Sequence, residues 1–240
     1  MRILVISDIH ANLAALDAIL AQAEAHDAVW CLGDLVGYGP DPNECVERIK
    51  ALPRLVCLAG NHDKAVLGEI PAEAFNDEAQ SAILWTRAAL TPANLTYLRG
   101  LPARVDLETF TLAHASPRQP VWEYILNRQT ACENFSHFET PYCLVGHTHI
   151  PIIYAEGSPC SERAPDYTRP MALSDTRLIL NPGGVGQPRD QNAQPAYALL
   201  DHEARVWHYK RAAYDPGITQ RKMLDLAFPD RLIVRLAHGW

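Results

Sequence analysis

The sequence predicts an α/β fold, a sandwich of two sheets with helices outside (αββα), in which the later sheet is the more antiparallel. Three observations carry that expectation. Short apolar runs alternate with helical periodicity in the first half, helix signals fill the stretch from 71 to 100, and strand signals crowd the second half. "RILVIS" (2–7) is a run of the sort a parallel sheet buries on both faces. Leu13, Leu16, Leu20 and Ala23 follow at helical spacing, completing a βα unit. "AVWC" (28–31) reads as a strand, "PNECVERIK" (42–50) as a helix opening on proline, and "LVCLA" (55–59) as a third strand. "EAFNDEAQSAILWTRAAL" then spans several helical turns. A further helix has Thr91 as N-cap, Pro92 at its first position and Gly100 as its stop. "RVDLETFTLAHA" predicts a hairpin leading to His114, and "YCLVG" (142–146) returns as a strand after a loop and helix. Further strands are expected at 151–155, 177–180, 196–201 and 205–210, with a helix from Pro216 to Ala227. "EGSPCSERAPDYTRP" (156–170) lacks periodicity and is expected as an exposed loop near the site mouth.

The 240 residues suit a single domain (1–240) with one core, and no apolar stretch approaches the roughly 20 residues that span a bilayer. The opening "MRILVISDIH" has one basic residue and no small-residue cleavage site, so a cytoplasmic protein is expected. Cys31, Cys45, Cys57, Cys132, Cys143 and Cys160 form no C-x-x-C, which predicts reduced, mostly buried thiols and neither a disulfide frame nor a cysteine zinc site. The formal charge of −7 opposes non-specific binding to nucleic acid, and the densest basic pairs, Lys210-Arg211 and Arg221-Lys222, are short.

Five motifs place Asp, His or Asn at or just beyond the end of an expected strand, where open α/β sheets bind ligands. They are "SDIH" (Asp8, His10), "GDLVGYG" (Asp34), "GNHD" (Asn61, His62, Asp63), "LAHASP" (His114) and "GHTH" (His147, His149). Asp8, Asp34, His10, His114, His147, His149 and Asn61 offer oxygen and nitrogen donors and no thiolate. If one carboxylate bridges, each of two divalent ions receives four ligands. The set suits manganese first, with iron, zinc, cobalt or nickel also fitting, and holds too much imidazole for magnesium or calcium alone. Taken singly, each motif has a plainer reading. Asp8 and His10 could cap the next helix, Asp34 and Asn61 could serve turns, and the histidines could be satisfied by backbone.

Taken in order, D-x-H, G-D, G-N-H-D, H and G-H-T-H resemble the calcineurin-like metallophosphoesterase superfamily, over residues 7–149. "GDLVGYGPDPNEC" and "NPGGVGQPRD" resemble its small bacterial and archaeal branch, in which Ala11 and Gly184 commonly stand as glycine and serine. The resemblance implies that Asp8, His10 and His149 bind one metal, that Asn61, His114 and His147 bind the other, and that Asp34 bridges them. It further implies that His62, oriented by Asp63, stands beside the scissile phosphate and, when protonated, donates to the leaving oxygen. The two ions would activate a bridging hydroxide for in-line attack on phosphorus. Helical segments at 64–100 and 115–141 are expected to flank the site.

"NPGGVGQPRD" lacks the third glycine of a dinucleotide fingerprint and the G-K-[S/T] of a phosphate loop, so it is expected as a turn beside the site. Asn181, Arg189 and Arg118 are candidates to reach a substrate phosphate, with Asn61 and His62. Phosphodiesters or nucleotides are the expected substrates, small molecules and not nucleic acid. A protein serine/threonine phosphatase uses the same site, a nuclease would carry a basic surface, and a non-catalytic scaffold would be marked by a lost ligand. The closing "PDRLIVRLAHGW" is expected to pack on the body or on a second subunit.

Overall fold

Alternation along the first strand sets the layering. In the computed structural model, which describes residues 1–240, β1 (Arg2–Ile6) buries Ile3 and Val5 on one face and Leu4 and Ile6 on the other. Successive side chains on a strand point to opposite faces, so an unbroken apolar run must be covered twice. Ile3 and Val5 meet a second sheet through Phe110, Leu112, Leu144 and Leu180. Leu4 and Ile6 meet helices through Leu16, Ile19, Val46 and Ile49.

The other strands are β2 (Ala28–Cys31), β3 (Val56–Cys57), β4 (Arg104–Asp106), β5 (Phe110–Ala113), β6 (Tyr142–Leu144), β7 (Ile152–Ala155), β8 (Ser161–Arg163), β9 (Met171–Ala172), β10 (Leu178–Asn181), β11 (Ala196–Asp201) and β12 (Val206–Arg211). The helices are α1 (Leu13–Gln22), α2 (Pro42–Lys50), α3 (Asn61–Val66), α4 (Asp77–Ala89), α5 (Pro92–Arg99), α6 (Arg128–Asn134), α7 (Pro216–Asp225) and α8 (Asp230–Val234). One six-stranded sheet has the order β3-β2-β1-β11-β12-β9, the other β4-β5-β6-β10-β7-β8. β1, β2 and β3 are parallel, as are β5, β6 and β10. β11 and β12 continue the first sheet antiparallel, and β7 and β8 the second. Each sheet thus has a parallel centre, and the loops that follow these six strands share one rim.

The outer face of the second sheet, with Cys143, Tyr154 and Ile179, is covered by Ala131, Phe135 and Phe138, which gives the αββα order. Asn12 caps α1 and Thr91 caps α5 through side-chain oxygens that accept from Ala15 and Asn94. The segment 64–100 holds the rest of α3, a 3-10 turn at Ala72–Ala74, α4 and α5, whereas 115–141 is mostly loop with α6 and a 3-10 turn at Phe135–His137. No helix is long and apolar enough to cross a membrane.

Three expectations are corrected. The third strand is confined to Val56–Cys57, because the chain must leave the ladder early to turn into α3. The segment 156–170 is not a plain loop: β8 pairs with β7 at the sheet edge, Ile153 opposite Arg163. Cys132 and Cys160 form a disulfide with Cα atoms 5.8 Å apart, since α6 crosses the outer face of the second sheet and meets the β7–β8 turn. The other four cysteines are free and buried, as the sequence suggested. At the C-terminus, Leu232, Ile233 and Leu236 pack on the body against Tyr38, Ala79, Ala82 and Met223.

Candidate metal centre

The strands deliver the chain to the rim, and the loops there bend sharply. Asp8, His10, Asp34, His147 and His149 all have left-handed backbone, with φ of 56°, 47°, 52°, 64° and 60°. For a residue with a side chain that region costs roughly 1–2 kcal/mol, and such strain gathers where a site overrides local preference. Backbone N–H groups fix the carboxylates in compensation. The N–H of His147 donates to Asp8 (3.0 Å to Oδ2), and that of His62 donates to Asp34 Oδ1 at 2.9 Å. Two glycines make the approach possible: a Cβ on Gly60 would lie 2.0 Å from Asp34 Oδ1, and one on Gly146 would lie 1.9 Å from Ser7 Oγ.

The loops gather the donors into two groups that share Asp34. Asp8, His10 and His149 form one, with His149 Nε2 3.4 Å from Asp8 Oδ1 and 3.2 Å from His10 Nε2. Asn61, His114 and His147 form the other, with His114 Nε2 3.1 Å from Asn61 Oδ1 and 3.2 Å from His147 Nδ1. Asp34 Oδ2 lies 3.5 Å from His10 Nε2 and 3.3 Å from His114 Nε2, between the two groups.

Three of the imidazoles have their tautomer set from behind. The Nδ1–H of His10, His114 and His149 donates to the carbonyls of Val36, Leu32 and Gln187 at 3.1, 2.9 and 2.6 Å. Each Nε2 therefore points inward, and the His10 and His149 lone pairs face each other. Asp34 Oδ2 and His147 Nε2 are buried without a hydrogen-bond partner. Inward-facing lone pairs and an orphaned carboxylate oxygen are costly alone and are relieved by cations between them, with carbonyls orienting the ligating rings. The donor set fits two divalent ions.

Burial dominates the titration of these groups. It pushes the Asp8 carboxyl up to about 6 and holds His10, His147 and His149 below the ordinary histidine range. Burial would raise Asp34 too, but His114, His62 and His10 beside it hold its carboxyl well below the usual value. His114 is the reverse: burial lowers it, and the charge of Asp34 outweighs that and lifts it to about 9.

The remaining expected residues are placed less uniformly. His62 is buried against Tyr38 and Phe75, at ring separations of 4.4 and 4.9 Å, and a ring nitrogen lies within 4.8 Å of Asp34 and His10 donors. Burial pushes its imidazole down to about 4. Asp63 does not orient it. Its carboxylate instead accepts from the backbone of Gly60 and Val36 at 2.9 and 3.2 Å, tying two rim loops together, and His62 Nδ1 is left without a partner. Asn181 is also occupied: its amide donates to the Gly146 carbonyl at 2.7 Å and Thr148 Oγ1 at 3.0 Å, and accepts from Gly183 N. Arg118 is engaged by Glu123 and Glu133, so its fork is not free for a phosphate. Arg189 does stand at the rim, 5.9 Å from the Tyr38 ring centroid.

Sequence reading passed over several neighbours. Tyr38 lies 4.7 Å from His10, inside the "GDLVGYG" motif where it was visible. Tyr124 lies 3.8 Å from His147, and Trp122 packs on Phe75. Their one signal was a run with exposed aromatics in a loop. Gln187 holds His149 through a main-chain carbonyl, which leaves no trace in residue type.

Two mixed sheets with paired histidine–aspartate clusters on their common rim define a metal-binding active centre of the dinuclear, phosphoesterase-type kind. The family model for the calcineurin-like phosphoesterase superfamily domain matches residues 1–205, and the chain belongs to that superfamily. An uncharacterised protein of Methanocaldococcus jannaschii is 35% identical over 99% of this chain and 98% of its own. The crystal structure of a metallophosphoesterase from Sphaerobacter thermophilus is 42% identical, with a TM-score of 0.92 over 100% of this chain and 99% of that one. A symmetrical bis(5'-nucleosyl)-tetraphosphatase of Vibrio cholerae is 30% identical over 57% of this chain and 52% of its own length.

Proposed function

We propose that this protein hydrolyses phosphodiesters or nucleotides at a dinuclear centre in which Asp34 bridges two divalent ions, manganese first among them. The observation that carries the reading is the orphaned Asp34 Oδ2, set between His10 of one donor cluster and His114 of the other. Asp8, His10 and His149 would hold one ion, and Asn61, His114 and His147 the other. Two such ions supply a hydroxide nucleophile near neutral pH and positive charge opposite the phosphate oxygens.

The chain's own residues do the positioning. The His62 N–H locks Asp34 from behind, and Gly60 leaves room for it. The His62 imidazole, whose Nδ1 has no partner in the protein, is the group that, when protonated, would donate to the leaving oxygen. Phe75, Trp122 and Tyr124 form an aromatic lip beside it, able to stack on a nucleobase and to keep water off the reacting group. The similarity to a dinucleoside tetraphosphatase supports nucleotides as a substrate class. The complete donor set favours a catalyst over a scaffold that uses this rim only for docking.

The test compares bis-p-nitrophenyl phosphate with p-nitrophenyl phosphate, adding manganese to metal-stripped protein. Metal-dependent turnover that favours the diester is expected. It should fall more than about 100-fold in Asp34→Asn, since even outer partners of metal ligands contribute about 10–100-fold. Turnover of neither ester by folded, manganese-loaded protein would overturn the reading.

A further inference from the structure

A polar cavity lies against the metal centre, where Tyr38 of "GDLVGYG" and Arg189 of "NPGGVGQPRD" meet the C-terminal segment. Its volume is about 200 Å³, and Tyr38, Tyr124, Arg189, Arg231 and Arg235 line it. Two of these residues are walls shared with the centre. Tyr38 packs 4.7 Å from His10 and 4.4 Å from His62, and Tyr124 packs 3.8 Å from His147. The arginine cavity and the ligand histidines therefore touch the same two phenol rings.

Its charge is unbalanced. The lining has three guanidinium groups and one side-chain carboxylate, Glu78, which is 3.5 Å from Arg231. Arg189 gives one Nη to Gln187 Oε1 at 3.2 Å, and its Nε is buried with no partner. Arg235 gives its Nε to a main-chain oxygen of Trp240, and burial and the nearby Arg189 push it down to about 10. With Glu78 beside Arg231, the lining still carries an excess of positive charge in a chain of net charge −7. An anion would relieve it. Arginine forks match phosphate oxygens in pairs, with a planar geometry that lysine lacks.

The way the arginines arrive points the same way. Arg231 and Arg235 are four residues apart in α8 and the turn after it, so they share a helix face. Leu232, Ile233 and Leu236 anchor that segment against Tyr38, Ala79 and Met223. The apolar C-terminal segment thus carries two arginines, from about 220 residues beyond the first rim motif, to the edge of the centre. The cavity is smaller than the roughly 300 Å³ at which pockets for whole drug-sized ligands begin, which suits phosphate groups and not a complete nucleoside.

We propose that Arg189, Arg231 and Arg235 bind a second phosphate of the substrate while the metal centre holds the scissile one. The preferred substrates are then nucleoside polyphosphates, ahead of simple monoesters and isolated diesters. This rests on the phosphoesterase reading above and narrows its substrate class. Hydrolysis of such a chain adds one water across a P–O–P linkage. The water oxygen bonds to phosphorus, the bridging P–O bond breaks, and the leaving phosphate takes the electron pair and a proton.

Two measurements test the pocket and the reading separately. Calorimetry of inorganic tripolyphosphate with the metal-free protein reports on the pocket alone. Arg231→Gln and Arg235→Gln are the variants; the Arg231 side chain is 69% exposed, so its replacement leaves folding intact. Binding by the wild type that weakens at least tenfold in either variant is expected. In manganese-loaded protein the ratio of kcat/KM for a nucleoside 5'-tetraphosphate to that for bis-p-nitrophenyl phosphate should fall at least tenfold as well. Equal tripolyphosphate binding by wild type and both variants, or an unchanged ratio, overturns the proposal. If the wild type hydrolyses neither compound, the phosphoesterase reading fails instead, and calorimetry still decides whether the pocket takes phosphates.

Discussion

Replacing Asn181 with alanine separates two roles for the loop after β10. In the structure this side chain makes three hydrogen bonds, to the Gly146 carbonyl, Thr148 Oγ1 and Gly183 N. The alanine variant leaves Gly146 its bond from Thr148 N and leaves Thr148 Oγ1 its bond from Ile150 N, but strands the Gly183 N–H. At about 1 kcal/mol per replaced bond and about 1–3 for an unsatisfied buried N–H, the loss is about 3–5 kcal/mol. For a chain of this size that lowers Tm by about 10 °C, measured by scanning calorimetry on metal-free protein. Because the amide braces the turn bearing His147 and His149, affinity at both ions should also fall, by about 10–100-fold. If Asn181 instead served a substrate phosphate, Tm and metal content would hold while KM rose. That pattern would refute the bracing account.

Other perturbations follow from the same geometry. In the metal-free protein His114 keeps its proton to about 9 beside Asp34, and Asp8 keeps its own to about 6. Metal binding must release them, so log affinity for manganese should rise about one unit per pH unit between 7 and 9, rise more steeply below 6, and level off above 9. Chelator competition at pH 5.5, 7.5 and 9.5 checks this, and a flat profile from 7 to 9 contradicts it. Thiol titration of denatured, unreduced protein should count the four free cysteines; six would mean that Cys132 and Cys160 are not joined. Leu236→Ala, at a position only 4% exposed, should cost about 2–4 kcal/mol and loosen the arginine pocket, read as lower Tm and weaker tripolyphosphate binding. Unchanged values would detach the C-terminal segment from the rim.

The strands and the metal-donor constellation were legible because their signals are local. An apolar run such as Ile3–Ile6 reports burial on both faces by itself, and Asp8 or His147 stands out as a polar group just past such a run. What escaped depends on contacts between distant segments. Arg231 and Arg235 look like ordinary surface residues of a C-terminal helix until α8 docks beside Tyr38. Cys132 and Cys160 form no recognisable spacing, and only the crossing of α6 over the sheet brings them together. Asp63 was assigned through the family resemblance, and Asn181 through its place in a glycine-rich turn. Their hydrogen bonds run to main-chain groups of other rim loops, which residue type does not encode. The left-handed backbone at Asp8, His10 and His149 was equally hidden, since those residue types do not announce it.

The central claim is a pair of ions bridged by Asp34, and counting manganese tests it most directly. Metal-stripped protein would be loaded, freed of unbound ion and examined by elemental analysis and low-temperature electron paramagnetic resonance. Two manganese ions per chain with an exchange-coupled spectrum that is lost in Asp34→Asn is the result expected. One ion per chain, or two ions that are magnetically independent in the wild type, would contradict the bridged centre.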